Sequence, residues 1–104
     1  MRAVIERALE LVRKGWTQRA NARDASGNAV SPIGTEACCW CLDGALLVAS
    51  DSALEYLQAS ISVSEALGGK GYIGWNDTPG RTQDEVVSLL ERMVEDEKNN
   101  CLSQ

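Results

Sequence analysis

At 104 residues, 44% of them hydrophobic and 24% charged, the chain has room for one domain with one core and no need of covalent staples. Its net charge of −5 sets it against a phosphate backbone, so direct nucleic-acid binding is not expected. No stretch approaches the ~20 consecutive apolar residues of a membrane helix, and Arg2, Glu6, Arg7 and Glu10 interrupt any leader-like run.

The expected setting is therefore soluble and cytoplasmic, with the four cysteines as free thiols. The charge is unevenly spread. Residues 1–23 carry six basic and two acidic groups, and residues 24–104 carry four basic and thirteen acidic ones. The basic first segment is expected to pair with the acidic last helix inside the fold.

Residues 2–14 read as a helix. Val4 or Ile5, Ala8, Leu9, Leu11, Val12 and Trp16 recur at steps of three and four, and Arg13-Lys14-Gly15 is a stop signal. Residues 17–35 lose that period. The turn-rich run Asp24-Ala25-Ser26-Gly27-Asn28 leaves room for a small β-hairpin pairing 19–23 with 29–33, although neither flank is rich in β-formers. Residues 36–49 return to helix-compatible composition, with Cys38, Cys41 or Leu42, Ala45 and Val48 or Ala49 on one face. Gly44 inside this run costs about 1 kcal/mol against Ala, which is tolerable where another element comes close.

Ser52-Ala53-Leu54-Glu55 fits a capping box, which predicts a helix over 53–67 with Leu54, Leu57, Ile61 and Leu67 in its core and Gly68-Gly69 as its stop. Residues 70–81 read as a structured connector. Within it Thr78-Pro79-Gly80-Arg81 has the type II turn pattern. Thr82-Gln83-Asp84-Glu85 is a second capping box, opening a last helix to about Glu97 that buries Val86, Leu89 or Leu90, Met93 and Val94. The expected fold is mainly α: a compact bundle of four main helices over residues 1–98, the small hairpin between the first and second, and a flexible tail over 99–104.

Cys38-Cys39-Trp40-Cys41 is the most tempting cluster. A structural zinc site wants four ligands, and here there is one cluster, no histidine and only Cys101 as a distant fourth thiol, so small buried apolar residues are the plainer reading. No metal and no cofactor are implied. The absence of histidine excludes Cys-His pairs and Ser-His-Asp triads. Cys41 near a helix start, where a dipole lowers a thiol pKa, keeps a minor nucleophile reading alive. Gly68-Gly69-Lys70-Gly71 lacks the spacing of a phosphate loop.

Two candidate sites remain. Glu91, Glu95, Asp96 and Glu97 form an acidic run on the last helix. Residues 74–82 combine an aromatic, two backbone-bonding side chains and a fixed turn. Either Trp75 plugs the core while Asn76 and Asp77 tie their own loop, or Trp75, Asn76, Asp77 and Arg81 line a ligand pocket with Arg19 or Arg23.

Several short motifs then run in one order: Arg7-Ala8-Leu9-Glu10-Leu11, Gly15-Trp16-Thr17-Gln18, Ala22-Arg23-Asp24, Trp40-Cys41, Gly44-Ala45-Leu46-Leu47, Ala66-Leu67-Gly68, Trp75-Asn76-Asp77, Gly80-Arg81-Thr82 and Glu85-Val86. In that order they resemble domain-of-unknown-function family 6197, a set of uncharacterised bacterial and phage proteins, over roughly residues 5–95. The chain departs from the pattern at Cys38-Cys39 and in its acidic tail. The resemblance implies a compact helical domain of bacterial or phage origin and brings no activity.

The leading functional expectation is a non-enzymatic interaction protein, of inhibitor or immunity type and phage- or mobile-element-encoded. It would bind a host protein with a basic surface through Glu91, Glu95, Asp96 and Glu97. The alternatives are a small-ligand-binding domain using the Trp75-Asn76-Asp77 loop and, least favoured, an enzyme built on Cys41 or Asp77.

Overall fold

The computed structural model describes the backbone of residues 1–102 and the side chains of residues 1–99. Helix α1 (Arg2–Lys14) buries Val4, Ile5, Ala8, Leu9 and Val12, the stripe its periodicity predicts. Each fully buried Leu, Ile or Val contributes about 1.5–3 kcal/mol, so this stripe is the spine of the core. It packs against two later helices, α2 (Leu42–Ala49) and α5 (Gln83–Leu102). Gly15 does end α1, with its N–H on the Leu11 carbonyl, but its backbone is extended at φ −176°. The glycine is required by packing: a Cβ there would lie 2.4 Å from the Cys38 carbonyl oxygen.

Strand β1 (Ala22–Arg23) pairs antiparallel with β2 (Cys39–Trp40), matching Ala22 to Trp40 and Arg23 to Cys39. The expected 19–23/29–33 hairpin shrinks to one bridge between Arg23 and Ala29, with Val30 N–H on the Ala22 carbonyl. Pro32 has no N–H to extend that ladder, and the chain turns at Ser31–Gly34 instead. The second strand comes out of the segment expected to begin a helix at residue 36. Trp40 pairs there on both sides: with Ala22 of β1 on one, and on the other with the 15–17 segment, where its N–H reaches Gly15 O and its carbonyl accepts from Thr17 N. A short apolar run is compatible with strand or helix, and here the partner edge decides.

Helix α2 therefore starts only after Cys41. Helix α3 (Ala53–Ala66) has Ser52 as its N-cap, bonded to Glu55 N, while the Glu55 carboxylate reaches Asp51 N rather than Ser52. Gly68 and Gly69, at φ +72° and +90°, stop it as expected. The connector contains a one-turn helix, α4 (Tyr72–Asn76), before the expected turn, closed by Arg81 N on Thr78 O. The second capping box is reciprocal: Glu85 N donates to Thr82 Oγ1 and Thr82 N to Glu85 Oε1. Helix α5 buries Val86, Leu89, Leu90, Met93 and Val94, and it runs on to Leu102, past the expected end near Glu97. Of the expected 99–104 tail, 103 and 104 lie outside the described residues.

The main correction concerns α3. Its buried residues are Ala59 and Val63, whereas Leu54, Leu57 and Ile61 are 63%, 55% and 50% exposed. The helix turns toward the core the face bearing Tyr56 and Ser60, whose hydroxyls have partners there, and leaves its leucine face outside.

Candidate functional site

The acidic run on α5 does not form one patch. Glu91 and Glu95 are a turn apart and share a line facing α1, where they meet Glu6 and Glu10 across a groove of about 380 Å³, bounded by Arg13 and Lys98. Asp96 and Glu97 are each rotated by about 100° from the residue before. Glu97 turns toward Met1, Arg2 and Glu6, and Asp96 lines neither depression. Arg13 Nη2 donates to Glu91 at 2.6 Å, so the basic first helix does pair with the acidic last one. The groove is thereby partly neutralised from within.

The 74–82 stretch divides in two. Asn76 is 1% exposed, and its side chain joins three segments. Oδ1 accepts from Trp16 Nε1 at 2.7 Å and from Leu42 N at 3.1 Å, and Nδ2 donates to Thr17 O and Asp77 Oδ1. Trp75 is only half-buried. Arg81 stacks 4.1 Å from its ring centroid, donates to its carbonyl and pairs with Glu85. Arg23 is committed to Thr17, Gln18 and Gly27. Of the residues expected to share a ligand pocket, Arg19, Asn76 and Asp77 come together, Trp75 lies in a separate depression with Leu67 and Arg92, and Arg23 and Arg81 are structural ties.

The cleft that Arg19, Asn76 and Asp77 share has a volume of about 210 Å³ and is completed by Ala20, Asn21, Cys41, Asp43 and Ile73. One of these, Asp43, belongs to neither of the two candidate sites read from the sequence. Asp43 sits in the first turn of α2, 9% exposed. Its Oδ1 accepts from Tyr56 Oη at 2.5 Å and from Tyr72 Oη at 2.7 Å, with Ser60 Oγ a further 2.9 Å from Tyr72. The one available signal was an acid inside an otherwise apolar helix, in a chain whose two tyrosines both need a hydroxyl partner.

Cys41 is the α2 N-cap, its sulfur accepting from Gly44 N and its S–H directed at Asn21 Oδ1. Burial pushes its thiol pKa up, and the helix-terminal N–H groups only partly offset this. The direction runs against a dipole-activated thiol and favours the neutral form of Cys41. Cys38 is exposed and Cys39 half-buried, and among the described residues no group of three or more side chains is placed to hold a metal. No helix of the described residues is long and apolar enough to cross a membrane.

The same burial raises the Tyr72 and Tyr56 phenols, with the Asp43 hydrogen bonds adding to it. The unfolded chain releases these protons near pH 9.0 for Cys and 10.0 for Tyr, while the folded chain still holds them. Their contribution to stability is complete below pH 9 and is lost as pH climbs through 10 and beyond. Denaturant midpoints measured from pH 8 to 11 are expected to fall above pH 9, and to fall less steeply in Tyr72→Phe, which has one fewer such proton to lose.

The α3 face is the other unassigned surface. Leu54, Leu57 and Ile61, spaced three and four apart, stand exposed in one line. Glu55 and Glu65 lie on the same helix and Asp51 just before it, with Arg7 Nη2 3.9 Å from the Asp51 carboxylate; residues 50–69 themselves contain no basic side chain.

The model of a family of unknown function, DUF6197, matches residues 1–96. No curated protein and no solved structure matches the chain.

Proposed function

We propose that this chain, which belongs to the DUF6197 family of unknown function, is a non-enzymatic interaction protein that binds a basic partner protein through the exposed face of α3. The observation that carries this reading is the line of Leu54, Leu57 and Ile61, each at least half exposed on one helix. Single exposed apolar residues are ordinary, but three in register are the pattern with which a helix seats in a groove. The surrounding carboxylates select a partner with basic flanks and steer its approach. This moves the recognition surface from α5, where Arg13 pairs with Glu91 at 2.6 Å and no line of exposed large apolar residues accompanies the acids, to α3. An inhibitor or immunity-type role for a phage- or mobile-element-encoded protein suits a small domain of this kind, with a host protein as the partner.

The test is comparative capture from bacterial lysate at two salt concentrations. Wild type, Leu54→Ser/Leu57→Glu/Ile61→Ser and Glu91→Lys/Glu95→Lys serve as baits. All three should stay folded, because substitutions at exposed positions shift stability by only about 0.5 kcal/mol each. The α3 variant is expected to lose the captured protein, and the α5 variant to keep it. Equal capture by the α3 variant would overturn the reading, and loss in the α5 variant alone would return the contact to the α1–α5 groove.

A further inference from the structure

Asp43 and Asp77 share an arrangement that the fold alone does not require. In each, one carboxylate oxygen is fully committed. Asp43 Oδ1 takes two phenols, and Asp77 Oδ1 takes Arg19 N at 2.9 Å and Asn76 Nδ2 at 3.0 Å. None of the described donors reaches either Oδ2. No buried side-chain oxygen or nitrogen among the described residues lacks a partner, so Asp43 Oδ2 opens onto the cleft rather than into the core. Both residues line this one cleft, together with Cys41.

Neither carboxylate has a cation. The four ion pairs among the described residues involve Arg2, Arg7, Arg13 and Arg81, and none involves Asp43 or Asp77. Asp43 is nine-tenths buried, its charge met among the described residues by two phenol hydrogen bonds and no counter-ion, so a bound cation would supply the missing charge. Arg19 lines the same cleft as an exposed residue, its guanidinium has no partner among the described residues, and its backbone is held at φ +65°. A volume of about 210 Å³ equals roughly seven waters at ~30 Å³ each, too small for a drug-sized ligand and sufficient for a handful of heavy atoms.

We infer that this cleft binds a small zwitterion of the amino-acid class, its primary ammonium bonded to the free oxygens of Asp43 and Asp77 and its carboxylate to Arg19. An ammonium has three N–H donors, enough for both carboxylates at once. Asn21 and Cys41 also line the cleft, and Ile73 and Ala20 supply apolar wall. Nothing in this depends on the α3 face.

The test uses the full chain and three named probes at constant ionic strength: L-alanine, methylammonium chloride and sodium acetate. Binding is read by amide chemical shifts and by the rise in Tm that any native-state ligand produces. L-Alanine is expected to raise Tm saturably and to shift the amides of residues 19–21, 41–44 and 73–77. Methylammonium should shift the same amides with weaker affinity, and acetate should not. Asp43→Asn and Asp77→Asn should each weaken L-alanine roughly ten- to hundredfold, the range expected for a lost charge-assisted hydrogen bond. Arg19→Gln should reduce L-alanine to the affinity of methylammonium. Asp43→Asn keeps an acceptor for the phenols, and Asp77→Asn provides an independent reading should the first variant unfold. Acetate matching L-alanine, unchanged L-alanine binding in the two Asp variants, or no response of these amides to either amine would overturn the inference. Each of those outcomes leaves the α3 proposal standing, because capture by α3 is measured without the probes.

Discussion

Asn76→Ala is expected to lower the unfolding free energy by about 3–5 kcal/mol, a large fraction of the roughly 5–15 kcal/mol a domain of this kind possesses. The side chain is 1% exposed and bonds at once to three segments that share no secondary structure: the Trp16–Thr17 link, the start of α2 and the end of α4. Removing it strands the Trp16 indole N–H and the Leu42 backbone N–H. Each orphaned buried donor costs about 1–3 kcal/mol, and the vacated volume adds to that. Asn76→Asp separates the two halves of the amide. It keeps the acceptor for Trp16 and Leu42 but loses the donors to Thr17 O and Asp77, and it sets a second carboxylate against Asp77. It should therefore also destabilise, and recover part of the loss as pH falls through the carboxylate range. Urea unfolding of both variants between pH 4 and 8 measures this. A loss below about 1 kcal/mol in Asn76→Ala would mean that the joint is carried by backbone contacts alone.

How far the sequence was legible depends on the range of the interaction involved. Helices α1 and α5, both glycine stops and both capped starts were readable because their signals are local: a 3.6-residue period, a hydroxyl and a carboxylate three apart, a glycine after the last turn. The segment 36–41 was misread because Trp40 becomes a strand only by meeting Gly15 and Ala22, more than fifteen residues away. The inversion of α3 has the same origin. Its sequence offers two faces, one with Leu54, Leu57 and Ile61 and one with Tyr56, Ala59, Ser60 and Val63. Hydrophobicity prefers the first, yet the Asp43 carboxylate and the Tyr72 hydroxyl anchor the second. Of the candidate site, Arg19, Asn76 and Asp77 were legible as a loop with polar side chains. Asp43 was not, because its importance comes from two phenols placed by separate helices.

Gly44→Ala distinguishes local propensity from tertiary contact, since the two predict opposite signs. By propensity alone, replacing a helical glycine with alanine gains about 1 kcal/mol. The structure opposes this. A Cβ at residue 44 would stand 1.9 Å from the Asn21 carbonyl oxygen and 2.8 Å from its carbon, and both are backbone atoms that cannot rotate away. The close approach that the sequence demanded as the reason for this glycine is thus the 19–21 segment lying directly on α2, held by Cys41 N on Asn21 O. Accommodating a methyl group requires that segment to lift, so Gly44→Ala is expected to destabilise by about 3 kcal/mol, the upper end for overpacking. Because Arg19, Ala20 and Asn21 are one wall of the cleft, the same shift should weaken L-alanine binding in whatever fraction remains folded. Gly74→Ala is the control. It is also helical, with no atom within 4 Å of the added Cβ, so propensity acts unopposed and the variant should be unchanged or more stable by up to about 1 kcal/mol. Urea midpoints for the pair should move in opposite directions or, at the least, Gly44→Ala alone should fall. Equal stability in the two variants would mean that α2 and the 19–21 segment do not approach as closely as the Gly44 geometry requires.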